Sequence, residues 1–241
     1  KPSITTRVYS DSNELMAEFF VENRTPVLLA DVPDTLIHAL IATEDARFYM
    51  HSGIDYRGVA RAVIRNVRAG KVLEGGSTLT QQLAKVLFLT PERSYLRKIK
   101  EMALALKIEQ RYTKQEILTL YLNQIYFGSG AYGIEAASLT YFGKHTKDLD
   151  LAECALLAGL PRSPKNYSPF RSRENALARR NHVLNRLVKT GALSPEQADA
   201  AKQAPLPSQP AIQHKGPTPA PYFIEYVRQK VEERFGSSIL Y

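Results

Sequence analysis

The sequence contains no tryptophan and only one cysteine, Cys154, among its 241 residues. A single cysteine excludes a disulfide framework and a cysteine-built zinc site. No run approaches the roughly 18 consecutive apolar residues that read as a membrane-spanning helix. A signal peptide is missing, and the chain opens on Lys1 rather than Met; the expectation is a chain that begins downstream of a segment removed from it. The Gly-x4-Gly-Lys pattern of a nucleotide phosphate loop is absent, and no fixed-period repeat occurs. Acidic residues are in short supply: 24 Asp+Glu against 32 Lys+Arg leave a formal charge of +8. That excess calls for an anionic partner, whether nucleic acid, a lipid surface or a phosphorylated substrate, without choosing among them. What is present, 44% hydrophobic and 23% charged residues, is the composition of a folded domain. The length suits one large domain or two small ones and buries a sizeable core without covalent staples.

Residues 4–30 read as a short β element, with Ile4, Val8, Leu15, Ala17 and Phe19 partly alternating around the polar turn Asp11-Ser12-Asn13. From Asp31 the apolar spacing becomes helical. Leu36, Ile37, Leu40 and Ile41 lead into Glu44-Asp45, and Val59, Val63, Ile64 and Val67 precede a stop at Gly70. Ser77 reads as the cap of a helix carrying Leu79, Leu83, Val86 and Leu87. Thr113 to Glu116, Asp150 to Glu153 and Ser194 to Gln197 have the chemistry of helix starts. Six prolines crowd residues 204–221 as a semi-stiff linker, and Phe223, Val227, Val231 and Phe235 form a helical stripe beyond it. The expected organisation is mainly α: a β element over 1–30, a helical domain over 31–203, and a Pro-rich linker and helix over 204–241.

Two glutamates stand out. Glu44 ends an apolar helix in Glu44-Asp45-Ala46-Arg47-Phe48-Tyr49-Met50-His51-Ser52-Gly53, and Glu101 lies in Arg97-Lys98-Ile99-Lys100-Glu101. A carboxylate among apolar neighbours gains proton affinity and suits a general base; a surface acid at a helix end is the competing reading. In Gly75-Gly76-Ser77-Thr78-Leu79-Thr80-Gln81-Gln82-Leu83-Ala84-Lys85, a double glycine feeds a helix whose first N–H groups form an anion site. Gln82 and Lys85 share a helix face. Arg93, Arg97, Lys98 and Lys100 add cations suited to a pyrophosphate, or else form a solvated basic helix with an Arg97–Glu101 pair.

These segments, with Ile117-Leu118-…-Tyr121-Leu122-Asn123-…-Tyr126-Phe127-Gly128 and Ala155-Leu156-Leu157-Ala158-Gly159-Leu160-Pro161-Arg162-Ser163-Pro164, resemble in order the five motifs of the family 51 peptidoglycan glycosyltransferases. The resemblance covers roughly residues 30–190, and the two ends of the chain resemble class A penicillin-binding proteins of the 1a type. Three positions depart from the pattern. Ala46 stands where the family usually has Arg (Arg47 is adjacent), Val86 where Asn usually follows the lysine, and Arg162 where some relatives carry Lys.

The resemblance implies a lysozyme-like helical glycosyltransferase domain that polymerises lipid II into a growing glycan strand with inversion at the anomeric carbon. It implies Glu44 as base and Lys85, Arg93, Arg97 and Lys98 as pyrophosphate ligands. Asp45, Phe48, His51, Ser77, Thr78 and Gln82 would orient substrate and base. Glu101 would position the cations or hold Mg2+ or Mn2+ against the phosphates, with no cofactor obligatory. It further implies an enzyme on the outer, periplasmic face of the inner membrane, with an N-terminal transmembrane anchor and a transpeptidase domain in the full-length chain. Over 56–73 an apolar stripe runs beside Arg57, Arg61, Arg65 and Arg68; this reads as a membrane-contacting helix or as a core-facing one. Two rival functions are a lysozyme-like hydrolase, which also uses a lone glutamate but has no use for pyrophosphate cations, and a helical nucleic-acid binder. The latter fits the charge but not the arrangement of basic residues within enzyme motifs, so no nucleic-acid partner is expected.

Overall fold

The computed structural model describes residues 6–13, 15–19, 23–70, 75–89, 94–211, 226, 227, 229–231, 233 and 234. The expected β element is present as β1 (Thr6–Tyr9) paired antiparallel with β2 (Leu15–Phe19), in the register Thr6 opposite Phe19. Asn13, in the turn between them, has φ of +65°, a conformation asparagine tolerates better than most residues. The sequence reading missed a second sheet. There β3 (Asn23–Arg24) runs parallel to β5 (Ala131–Tyr132), which pairs antiparallel with β4 (Tyr126–Gly128). Strands of two or three residues are too short to carry a periodic signal.

The rest of the described chain is mainly helical. After α1 (Asp34–Glu44) and α2 (Tyr56–Ala69) come α3 (Leu79–Phe88), α4 (Tyr95–Arg111) and α5 (Lys114–Gln124). Then follow α6 (Ile134–Phe142), α7 (Leu151–Gly159), α8 (Pro164–Tyr167), α9 (Arg173–Lys189) and α10 (Pro195–Lys202). The caps form as their chemistry requires: Thr113 with Glu116, Asp150 with Glu153 and Ser194 with Gln197 make reciprocal capping boxes. Gly70, at φ of +63°, ends α2. One cap moves by a residue. Thr78, not Ser77, caps α3, in a box with Gln81.

Helix α1 packs on α7 and α9, and α3 packs on α4 and α5. Leu36, Leu40, Leu79, Leu83, Ile117, Tyr121, Leu157, Val183 and Leu184 join in one continuous core. Helix α2 stands apart from it. Only Gly58 and Ala62 are buried there, whereas Tyr56, Val59, Val63, Ile64 and Val67 are exposed, Val67 to 76%. The core-facing alternative for this helix therefore fails; Val72 and Leu73, which extend the stripe, lie outside the described residues.

The Pro-rich stretch is also not a linker from its start. Buried Arg180 donates from Nη1 to the Ala204 carbonyl (2.6 Å) and from Nη2 to that of Lys202 (2.7 Å). Leu206 is buried and Ala211 N–H bonds to the Thr140 carbonyl (2.9 Å). Residues 204–211 thus form a strap on α6 and α9, because proline-rich backbone can bury an apolar side chain when neighbouring donors satisfy its carbonyls. Helical residues recur at 226, 227, 229–231, 233 and 234, whereas Phe223 and Phe235 of the expected stripe lie outside the described residues.

The position of the α3 cap has a measurable consequence. Thr78→Ala should lower stability by about 1 kcal/mol through the lost cap, with a further loss from its bond to Gly53. Ser77→Ala should leave the unfolding midpoint nearly unchanged in thermal denaturation.

Candidate active site

Helix α1 ends on Glu44, which the chain leaves on the wall of a cleft of about 500 Å³. Its side chain is only 9% exposed, and each carboxylate oxygen has one donor. Arg179 Nη2 on α9 donates to Oε1 at 2.7 Å, and Gln82 Nε2 on α3 donates to Oε2 at 3.3 Å. Tyr121 Oη in turn donates to Gln82 Oε1 (3.1 Å), which fixes the amide's orientation. Burial pushes the Glu44 carboxyl above the usual glutamate value, and Arg179, Gln82 and Arg162 pull against that rise. Burial, with the charges of Glu44 and Asp45, also raises the Tyr121 phenol, so it stays protonated as a donor. The result is an immobilised carboxylate of raised basicity, the requirement for a general base near neutral pH.

Asp45 serves the scaffold. Its carboxylate meets His51 Nε2 at 2.9 and 3.1 Å and accepts the Leu79 N–H at 3.0 Å. At the start of α3, expected to form an anion site, the Leu79 N–H is thus taken by the Asp45 carboxylate, a favourable charge at a helix N-terminus, and the Gln81 N–H by Thr78 Oγ1. Thr78 Oγ1 donates to the Gly53 carbonyl (2.6 Å). Gly53 has φ of +94°, and an added Cβ would lie 3.0 Å from the Ala105 backbone, so only glycine fits. His51 and Phe48 do not line the cleft; Phe48 is fully buried beneath Lys114 Nζ, 4.4 Å from its ring centre. Their part is to hold the loop that aligns α1 with α3.

Glu101 also lies off the cleft wall, buried on α4. It pairs with Lys98 and, at 3.5 Å, with Arg97. Lys98 Nζ also donates to Ser77 Oγ (2.8 Å) on the cleft wall. Glu101 is therefore a positioning residue for two cations. Its oxygens are occupied by them, and no group of three His, Cys, Asp or Glu able to hold a metal occurs among the described residues. Among the described residues this donor set does not fit a resident divalent ion. Arg93 lies outside the described residues.

Five cations line the cleft: Arg61 and Arg65 of α2, Lys85 of α3, Arg162, and Arg186 of α9. The three lining carboxylates already have protein partners: Glu44 and Asp45 as above, and Asp55 in Arg47 (3.2 Å). The wall is therefore suited to anionic groups. Arg47, engaged by Asp55, does not replace the arginine missing at Ala46, which lines the cleft; Val86 does not line it. Sequence reasoning missed Arg179, His182 and Arg186, and assigned Arg61 and Arg65 to a membrane stripe alone. The only available signal was their spacing of three and four residues within α9, which any amphipathic helix shows. Cys154 is buried, its thiol pushed up to about 12 by burial, and is no nucleophile.

A helical domain with one buried glutamate over a cation-rich cleft has the architecture and chemistry of a glycosyl-transferring enzyme. The transglycosylase family matches residues 12–188. Penicillin-binding protein 1A of Aquifex aeolicus is 46% identical over 235 residues, 98% of this chain and 32% of that protein. Penicillin-binding protein 1A of Escherichia coli is 44% identical over 238 residues, 98% of this chain and 28% of that one. The crystal structure of penicillin-binding protein 1A from Haemophilus influenzae superposes with a TM-score of 0.56 at 28% identity, covering 100% of this chain and 26% of that one. The chain belongs to the transglycosylase family, the peptidoglycan glycosyltransferases of cell-wall synthesis, and it spans about a third of the length of the curated relatives it matches.

The Glu44–Arg179 pair sets a pH dependence. Between the ordinary glutamate value of 4.5 and its raised folded value, the folded state holds a proton that the unfolded state has released. Glu44's contribution to stability therefore falls as pH rises through that window. A carboxylate serves as a base only when ionised, so any activity that uses Glu44 as its base has the opposite sign. Arg179→Gln removes the charge that restrains the rise, so the acid limb of the polymerisation profile should move to higher pH. Unfolding should show a loss of about 3–5 kcal/mol, the cost of breaking a buried pair.

Proposed function

We propose that the domain polymerises lipid II, with the glycan strand on undecaprenyl pyrophosphate as donor and lipid II as acceptor. The observation that carries this reading is Glu44 fixed between Gln82 and Arg179 on a cleft wall otherwise rich in cations. Glu44 takes the proton of the acceptor's 4-hydroxyl as that oxygen bonds to the donor's anomeric carbon. The bond from that carbon to the pyrophosphate oxygen breaks on the opposite face, so configuration inverts. The leaving pyrophosphate departs with its electron pair into the field of Lys85 and Lys98. Fixed cations stabilise such developing charge without reorganising. A hydrolase would transfer the same sugar to water; the density of cations favours a substrate that keeps its phosphates in the cleft.

The family of the relatives and the exposed face of α2 support a setting on the outer face of the inner membrane. There, in the whole protein, an anchoring segment and a transpeptidase domain accompany this one. No helix among the described residues is long and apolar enough to cross a membrane. Val63, Ile64 and Val67, exposed beside Arg57 and Arg68, suit shallow insertion among anionic lipid heads.

Two outcomes test these assignments. Glu44→Gln keeps the shape of the base and removes its basicity, so lipid II polymerisation in detergent should fall by roughly two orders of magnitude; near-normal turnover by a folded variant would remove Glu44 from this role. Changing Val63 and Val67 together to Ser should cut sedimentation with anionic vesicles while leaving turnover in detergent unaltered. Undiminished sedimentation would mean that α2 is only a solvated face.

A further inference from the structure

Outside the cleft, a lysine and a glutamate that the site does not use meet where four segments join. The side chain of Lys114, first residue of α5, is 22% exposed, and that of Glu109 on α4 only 6%. Lys114 Nζ lies 2.8 Å from each carboxylate oxygen of Glu109 and donates to the His51 carbonyl at 2.7 Å. Thr80 of α3, fully buried, donates from Oγ1 to the same carboxylate at 2.6 Å. His51 leads back to α3 through Asp45, whose carboxylate takes the N–H of Leu79, the residue before Thr80. Gly53 N–H donates to His51 Nδ1 (3.2 Å), so Nε2 carries the proton shared with Asp45. The bonds close on themselves, from Lys114 through His51, Asp45, the start of α3 and Glu109 to Lys114 again.

Thr80, Glu109 and Lys114 do not line the cleft. What they fix is α3. Its first two residues are held from opposite sides, Leu79 by the end of α1 and Thr80 by α4. A helix held in this way neither slides nor rolls. Gln82, two residues further on, reaches Glu44 Oε2 at 3.3 Å. Such bonds cluster at about 2.9–3.0 Å, so a displacement of a few tenths of an ångström ends this one.

We propose that Thr80, Glu109 and Lys114 are positioning residues for Glu44, closing a ring of hydrogen bonds that sets α3 against α1 and keeps Gln82 on the carboxylate. Their bearing on catalysis rests on the function proposed above; the ring's hold on Glu44 does not. The groups facing Glu44 are Arg179 from α9, Arg162 from the turn after α7, Gln82 from α3, Tyr121 from α5 and the adjacent Asp45. Gln82 is the donor that the ring controls, and its donation lowers the proton affinity of a carboxylate that burial raises. Loosening the ring therefore raises that affinity.

The test reads Glu44 directly, by carbon-13 NMR titration of the chain labelled at its glutamate carboxyls, with Glu44→Gln identifying the signal. The acid limb of lipid II polymerisation in detergent is followed beside it. Thr80→Val and Lys114→Met should each raise the Glu44 midpoint, and the acid limb with it, by roughly one pH unit, the effect of losing one hydrogen bond to a charged group. Lys114→Met, at the most exposed of the three, serves if Thr80→Val does not fold. Lys114→Arg, which still donates to Glu109, should keep both near the parent values. Gln82→Met should produce the shift by itself, and adding Thr80→Val to it should move the midpoint no further. An unmoved midpoint in Thr80→Val and Lys114→Met, with only the unfolding temperature lowered, would overturn the proposal and leave the ring a structural brace. So would a further shift in the double variant, because the ring would then act by a route other than Gln82. A shifted midpoint with an unmoved acid limb would support the ring and overturn Glu44 as the base.

Discussion

The site depends on one buried ion pair joining residues 135 positions apart, Glu44 on α1 and Arg179 on α9. Removing two charges from water is expensive, and the cost is tolerated only when geometry and further hydrogen bonds compensate. Both conditions are met. Arg179 also donates from Nε to the Gly159 carbonyl (3.0 Å) and lies over the Tyr167 ring, 5.3 Å from its centre. Gly159 is required there, since an added Cβ would come within 2.9 Å of Arg179 Cγ. On the other side Gln82 and Tyr121 complete the chain of donors. The carboxylate is left with one orientation and raised proton affinity, which a surface glutamate does not have.

Around this pair the acidic and polar residues divide into those that meet the cleft and those that build it. Asp45, His51, Thr78 and Phe48 hold α1, the following loop and the start of α3 together, and Gln82 lies one turn further along. Asn123 does the same for the N-terminal chain: its side chain accepts from Val27 N–H (2.8 Å) and donates to the Val27 carbonyl (3.0 Å). Residues prominent in sequence motifs are therefore often two bonds from the chemistry. A motif marks where side-chain choice is constrained, and the geometry of a support is constrained as tightly as that of the reacting group.

Much of the helical framework was legible because caps and apolar spacing are local. Thr113, Asp150, Ser194 and Gly70 marked their boundaries correctly. Ser77 and Thr78 are equivalent cap acceptors in sequence, and only the position of Asp45 and Gly53 makes Thr78, rather than Ser77, the cap of α3. Glu44, Gln82 and Lys85 were legible as a set through the resemblance. Arg179, His182 and Arg186 were not, because their meaning arises only when α9 crosses α1. The exposure of Val63 and Val67 and the packing of residues 204–211 were hidden for the same reason: hydropathy states what a residue prefers, while topology decides what it meets.

Helix α9 is used on two sides. One side carries Arg179, His182 and Arg186 toward the cleft; the other carries Arg173 and Arg180 toward the strap, where Arg180 grips the Lys202 and Ala204 carbonyls and Arg173 reaches the Leu206 carbonyl at 3.5 Å. Arg179 and Arg180 are neighbours in sequence, so the partner of the base and the clamp on the strap share one peptide unit. Close-packed interiors transmit displacement rather than absorb it. The helix that sets the distance between Arg179 and Glu44 is therefore also the one that fastens the start of the strap, while Ala211 at its far end is tied to α6 through the Thr140 carbonyl.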